Sequence, residues 1–192
     1  MREATLNDVE RIGAFGDAER TFLMTEEAFR TFYEQTARPV WAYLARTTGD
    51  DRLADDLLQE AYYRFLRTRA SFEGDDHRRH YLFRIATNLV RDHRRRPRRD
   101  GGAVDSSEIE RLPVDSSAAD RAVRRLDLNR AMARLKPRER SMLLLAYVQG
   151  FSHAEIAGVL GVKKASLKAL LYRARQRLLG MLETPGERGE GE

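Results

Sequence analysis

Between residues 54 and 65 the apolar positions Ala54, Leu57, Leu58, Ala61, Tyr62 and Phe65 recur at intervals of three and four, which places them on one face of a helix. Asp55, Asp56, Gln59, Glu60 and Tyr63 fall on the other side. Upstream, Phe29, Phe32, Tyr33, Val40, Trp41 and Leu44 repeat the helical spacing, and Pro39 is expected to kink that element. After a break at SFEGDD the spacing predicts a third helix from about His77 to Arg95, with Leu82, Ile85 and Leu89 inward. Arg84, Asn88, Arg91 and Arg95 then share the opposite face. Alternation of apolar and polar residues, the mark of a half-buried strand, occurs nowhere in the chain.

The helical pattern stops in RRRPRRDGGAVDSSEIERLPVDSSAAD, whose Gly, Ser, Pro and Asp content is that of a flexible linker. Beyond it a further helix is expected from Ser117 to Leu135, and Pro137 suits the first turn of the next, PRERSMLLLAYVQ. Ser152 and Glu155 form a capping box that starts a third, Gly161 ends it in the left-handed conformation, and a fourth runs from about Lys163 to Met181. The expectation is an all-α protein of two small helical domains, residues 25–96 with three helices and 117–182 with four. Residues 97–116 join them, and 1–24 and 183–192 are an N-terminal extension and a C-terminal tail. In the extension, Ile12, Phe15, Phe22 and Leu23 are able to dock on a domain.

Composition adds limits. Of the 192 residues 42% are hydrophobic and 34% charged, with only 8% aromatic, which suits small helical units with much solvated surface. The chain has no cysteine, so disulfides, thiolate metal sites and thiol redox sensing are excluded. No apolar run approaches the length of a membrane span, and acidic residues interrupt Met1 to Leu23 where a signal peptide needs its apolar stretch. A soluble, cytoplasmic protein without direct membrane insertion is expected.

The net charge of +5 is unevenly placed. Residues 91–99, RDHRRRPRR, hold six Arg and one Asp, hence +5, while residues 163–177 hold three Lys and three Arg without an acid, hence +6. The remainder sums to −6. Two separate basic patches on a mildly acidic protein suit two contacts with phosphate.

Three constellations carry candidate chemistry. The capped helix, the Gly161 turn and the basic helix after it form a helix-turn-helix pattern, in which Lys163, Lys164, Ser166, Lys168, Arg173 and Arg175 are candidate DNA contacts. A surface helix pair with solvated cations is the plainer reading, but Lys163 and Lys164 oppose the helix dipole and make better sense beside phosphates. Arg84, Asn88, Arg91 and Arg95 form the second set, preceded by a loop with Phe72; aromatic rings among cations suit unstacked bases. For Phe83 a core role is the better reading, and for Phe72 core and base-stacking roles are balanced. Third, Asp55, Asp56, Gln59 and Glu60 make an acidic face suited to a basic protein partner. His77, His80, His93 and His153 are scattered, no phosphate loop or nucleophile elbow is present, and no enzyme chemistry or cofactor is indicated. A stand-alone helix-turn-helix regulator and a purely protein-binding adaptor remain alternatives.

TTGDDRLADDLLQEAYYRFLRT, SFEGDDHRRHYLFRIATNLVRDHRRR and LKPRERSMLLLAYVQGFSHAEIAGVLGVKKASLKALLYRARQRL together resemble an extracytoplasmic-function (ECF) type RNA polymerase sigma factor, over about Ala28 to Leu179. The resemblance implies region 2 in the first domain and region 4 in the second. Asp55, Asp56, Gln59 and Glu60 would grip the clamp helices of the polymerase's largest subunit, and the C-terminal domain would meet the flap. Phe72, Arg84, Asn88, Arg91 and Arg95 would recognise and melt the minus-ten element and capture a flipped base. The last helix would read the minus-35 element in the major groove. The implied partners are core RNA polymerase, promoter DNA and an anti-sigma factor, with nucleoid association when polymerase-bound. The chain departs from the family's pattern at Tyr81-Leu82, where Trp-Leu is usual. Ser166-Leu167-Lys168-Ala169-Leu170 stands for Thr-Val-Lys-Ser-Arg, and Lys163 holds a usual capping Ser/Thr position. Base contact would then fall to Lys168, Arg173 and Arg175, or to apolar contact with thymine methyls.

Overall fold

The computed structural model describes residues 24–68, 70–95 and 116–183, with side chains in the last segment from Val123 onward, position 125 excepted. Among the described residues there are seven α-helices and no strand. The described residues divide into two compact units, the first built from those up to Arg95 except Arg46–Asp51, the second from the rest. The linker, Ile12, Phe15, Phe22 and Leu23, the Arg96–Arg99 end of the first basic patch and the C-terminal tail lie outside the described residues.

The first unit holds α1 (Glu26–Thr48) as far as Ala45, α2 (Asp51–Leu66) from Arg52, and α3 (Asp75–Arg95). Helix α1 runs through Pro39 as one element of 23 residues. In α2 the buried residues are Ala54, Leu57, Leu58, Ala61, Tyr62 and Phe65, the stripe that the spacing predicts. These helices join through rings: Phe32 stacks on Phe65 at 5.1 Å between centroids, and Tyr33 lies 4.8 Å from Tyr62. Two buried tyrosines have their hydroxyls paired, Tyr62 with Thr36 at 2.7 Å and Tyr43 with the half-buried Thr87 at 2.8 Å.

Helix α3 differs from the expectation in two ways. It starts at Asp75, not His77, because Asp75 and Asp76 form a favourable acidic first turn. Its buried residues are Leu82, Phe83, Ala86, Leu89 and Val90, while Ile85 is half-buried. The core-facing stripe is thus centred on the side of Ala86 and Phe83, and Phe83 is core, its ring 5.4 Å from that of Tyr43.

The second unit holds α4 (Ser116–Arg134), α5 (Pro137–Leu143), α6 (His153–Leu160) and α7 (Lys164–Glu183). Pro137 occupies the first turn of α5. That helix passes into a π turn at Leu144–Val148, closed by the Gln149 amide donating to the Leu144 carbonyl at 3.0 Å. Gly150, at φ 70°, then turns the chain so that Phe151 is buried. Met142, Leu145, Ile156, Leu167 and Ala174 make the centre of this core, each at most 2% exposed. Among the described residues no helix is long and apolar enough to cross a membrane.

Candidate nucleic-acid interface

The acidic face of α2 is more ordered than a plain charge run. Asp55, Asp56 and Gln59 are exposed and Glu60 is half-buried. The Trp41 indole N–H donates to Asp55 Oδ1 at 2.7 Å, which ties this carboxylate to α1. Glu60 accepts from Arg64 at 2.6 Å, one turn along α2. Asp56 and Gln59 are left facing solvent between the two.

The loop between α2 and α3 is built around Phe72. Its half-buried ring stacks on Phe65 at 5.6 Å, meets Tyr81 edge-on at 5.1 Å and lies 5.4 Å from the His77 ring. Phe72 is thus packed among three rings and only partly exposed. Tyr81 is fixed by its hydroxyl, 2.9 Å from Thr68 Oγ1, and the Arg84 guanidinium lies 4.7 Å from its ring centroid. Arg84, Arg91 and Arg95 are exposed and Asn88 half-buried, on the face of α3 opposite its core.

In the second unit both ends of α6 are fixed. Ser152 Oγ accepts from the Glu155 amide at 3.4 Å, and Glu155 Oε2 accepts from the Ser152 amide at 2.7 Å. At the other end Gly161, at φ 61°, adopts the left-handed conformation and the Val162 amide donates to the Ala157 carbonyl at 3.0 Å. The turn leads directly into α7, whose first residue is Lys164, one later than the spacing suggested.

Helix α7 buries Leu167, Leu171 and Ala174. At about 100° per residue, Ala165, Ala169, Tyr172 and Gln176 lie in a sector of roughly 60° on the opposite side. All of these are exposed. Lys164, Lys168 and Arg175 fall about 90° to one side of that sector, and Ser166, Arg173 and Arg177 about 90° to the other. The helix is thus an outward ridge between two rows rich in cations. Tyr172, 57% exposed, stands on the ridge with the Arg175 guanidinium 5.8 Å from its ring centroid. Sequence reading centred on charge passed over Tyr172; the burial phase set by Leu167 and Leu171 was the signal that finds it. Arg177 is already engaged with Glu139 Oε1, while Glu139 Oε2 accepts from the Lys136 amide at 3.3 Å at the start of α5.

Among the described residues no group of three or more His, Asp or Glu side chains is arranged to hold a metal ion. What the two units offer is charge, exposed or partly exposed aromatic side chains and hydrogen-bonding groups. Such surfaces suit macromolecular partners.

Two family models match the chain, Sigma-70 region 2 over residues 32–100 and Sigma-70, region 4 over residues 125–178. These domains define a class, the subunits of bacterial transcription initiation. Among relatives, the ECF RNA polymerase sigma factor SigL of Mycobacterium tuberculosis is 32% identical over 161 residues, covering 82% of this chain and 90% of that protein. The ECF RNA polymerase sigma factor BldN of Streptomyces coelicolor is 35% identical over 166 residues, covering 81% of this chain; the chain spans 61% of BldN's length. The chain belongs to the ECF RNA polymerase sigma factors. The fold is shared with the sigma factor RpoE of Bartonella quintana, solved with the anti-sigma factor NepR, at a TM-score of 0.62 and 20% identity over 81% of this chain and 97% of that one. CnrH, solved with the cytosolic domain of CnrY, gives a TM-score of 0.57 at 22% identity over 94% and 97%.

Proposed function

We propose that this chain is a dissociable, non-catalytic sigma subunit that binds core RNA polymerase, directs it to a promoter and assists strand melting. The observation that carries the reading is the presence, in one chain of this family, of three chemically different surfaces: the acidic face of α2, the aromatic and cationic surface of α3, and the cation-flanked helix α7. Asp55, Asp56, Gln59 and Glu60 bind the clamp helices, with Asp56 and Gln59 the most available of the four. Phe72, Arg84, Asn88, Arg91 and Arg95 act on the minus-ten element. The partly exposed Phe72 ring beside Tyr81 suits a flipped base, and Arg84, Arg91 and Arg95 suit the strand's phosphates. Lys163, Lys164, Ser166, Lys168, Arg173 and Arg175 contact the minus-35 duplex, mainly along its phosphates, and the second unit meets the polymerase flap.

The chemistry of transcription belongs to the polymerase; the chain supplies recognition and needs no cofactor of its own. Work of this kind is cytoplasmic, at the nucleoid. RpoE and CnrH were each solved with a partner, in RpoE's case a named anti-sigma factor, and an anti-sigma partner for this chain is proposed by analogy. The test is run-off transcription with core polymerase on the gene's own upstream region. Specific transcripts that require the chain are expected; tight duplex binding to a palindrome without polymerase, and no transcripts, would favour a stand-alone regulator instead.

A further inference from the structure

Helix α7 has a property that its charge obscures. The sector aimed away from the core carries Ala165, Ala169 and Tyr172, with an amide only at Gln176. A helix with its side chains is about 10–12 Å across and the major groove about 12 Å wide, so the outward sector alone meets the base edges while the flanks meet the two phosphate walls. The flanking cations Lys164, Lys168 and Arg175 on one side and Arg173 on the other are placed for those walls. Ala165 and Ala169 have no donor or acceptor beyond the backbone and allow the helix to sit deep. The Tyr172 ring, 57% exposed, is held by its contact with Arg175. In the major groove only thymine offers an apolar group, its C5 methyl.

We infer that this chain selects its upstream duplex through thymine methyls packed against Ala165, Ala169 and the Tyr172 ring. Guanine-reading cations are not the selecting groups. The inference rests on the reading of α7 as a major-groove helix, and it names what that helix recognises. The flanking cations fix depth and register along the phosphates.

The test uses the full chain bound to bacterial core polymerase. A pool of duplexes carries a randomised upstream cassette joined to a pre-melted downstream bubble, so that upstream recognition decides recovery. Enriched cassettes should place thymines at two or more adjacent positions. Replacing each of them by deoxyuridine, which deletes only the methyl, should weaken binding roughly fourfold per contacted methyl, the value expected for one buried carbon group. Tyr172→Ala, at an exposed position that leaves the helical circular dichroism unchanged, should abolish the deoxyuridine penalty at one position and retain it at the others. An enriched site indifferent to deoxyuridine but weakened by 7-deazaguanine would overturn the inference in favour of guanine contacts by Lys168 or Arg173, with the groove reading intact. Assembled polymerase that enriches no cassette at all would overturn the groove reading itself.

Discussion

Trp41 shows how one side chain can shape a surface on a neighbouring helix. Its indole donates to Asp55 Oδ1 at 2.7 Å, so the carboxylate at the edge of the acidic face has a fixed direction. Fixing a group in advance lowers the entropy lost when a partner immobilises it. Trp41→Phe keeps an aromatic ring and removes the donor. It should weaken core polymerase binding several-fold in a fluorescence titration, with the thermal midpoint nearly unchanged, since a surface hydrogen bond contributes only about 1 kcal/mol. Lys163 gives the opposite kind of trade. It precedes α7 without a side chain suited to cap it, and the Ser166 amide turns back to its carbonyl at 3.0 Å. Lys163→Ser should stabilise the unit by about 1 kcal/mol in thermal melts and weaken duplex binding, because the capping hydroxyl replaces a cation near phosphate. A substitution that lowers both quantities would show Lys163 to be structural.

At the scale of the helix, the joint between α1 and α2 contains a titratable group in its centre. Burial holds the Tyr62 hydroxyl well above its ordinary ionisation range, more than the hydrogen bond with Thr36 brings it down. An unfolded tyrosine loses its proton near pH 10, whereas folded Tyr62 keeps it. Above that pH the unfolded chain therefore binds fewer protons, and stability falls as pH rises. Tyr62→Phe should shift alkaline unfolding, followed by circular dichroism, to higher pH, after a cost near neutrality of about 1 kcal/mol for the missing hydrogen bond. Where packing is one-sided the elements were legible in the sequence: the stripe of α2 is the buried set, and Ser152, Glu155 and Gly161 mark the ends of α6 by local chemistry alone. Legibility dropped for α3, where Phe83, Ala86 and Val90 are covered as well as Leu82 and Leu89, so a narrow stripe through Ile85 misjudged the centre. The π turn at Leu144–Val148 lies in an unbroken apolar run, in which no polar position records the change of register. Among the candidate sites, the charged flanks of α7 were legible from composition, but Tyr172 required the phase of burial.

Over the whole molecule, the acidic face of α2 and the cation-flanked helix α7 lie in different units, and on the proposed reading each should fail separately. Asp56→Lys should reduce core polymerase affinity while leaving the salt dependence of duplex binding by the full chain unchanged. Arg173→Ala should do the converse: with one phosphate no longer neutralised, the slope of log affinity against log salt should flatten by about 0.9, and polymerase affinity should be preserved. Failure of both functions in either variant, measured on protein of normal helicity, would contradict the division. The placement of α7's apolar residues has a consequence for how such proteins diversify. Leu167, Leu171 and Ala174 hold the helix from behind, while Ala165, Ala169, Tyr172 and Gln176 contribute nothing to the core. Exchanging the latter for other good helix formers should cost the fold little, so, on the inference that this ridge selects the duplex, duplicated copies of this chain could acquire non-overlapping sets of genes by exchanging a few outward side chains, and a laboratory library confined to those positions should yield mutually insulated transcription circuits.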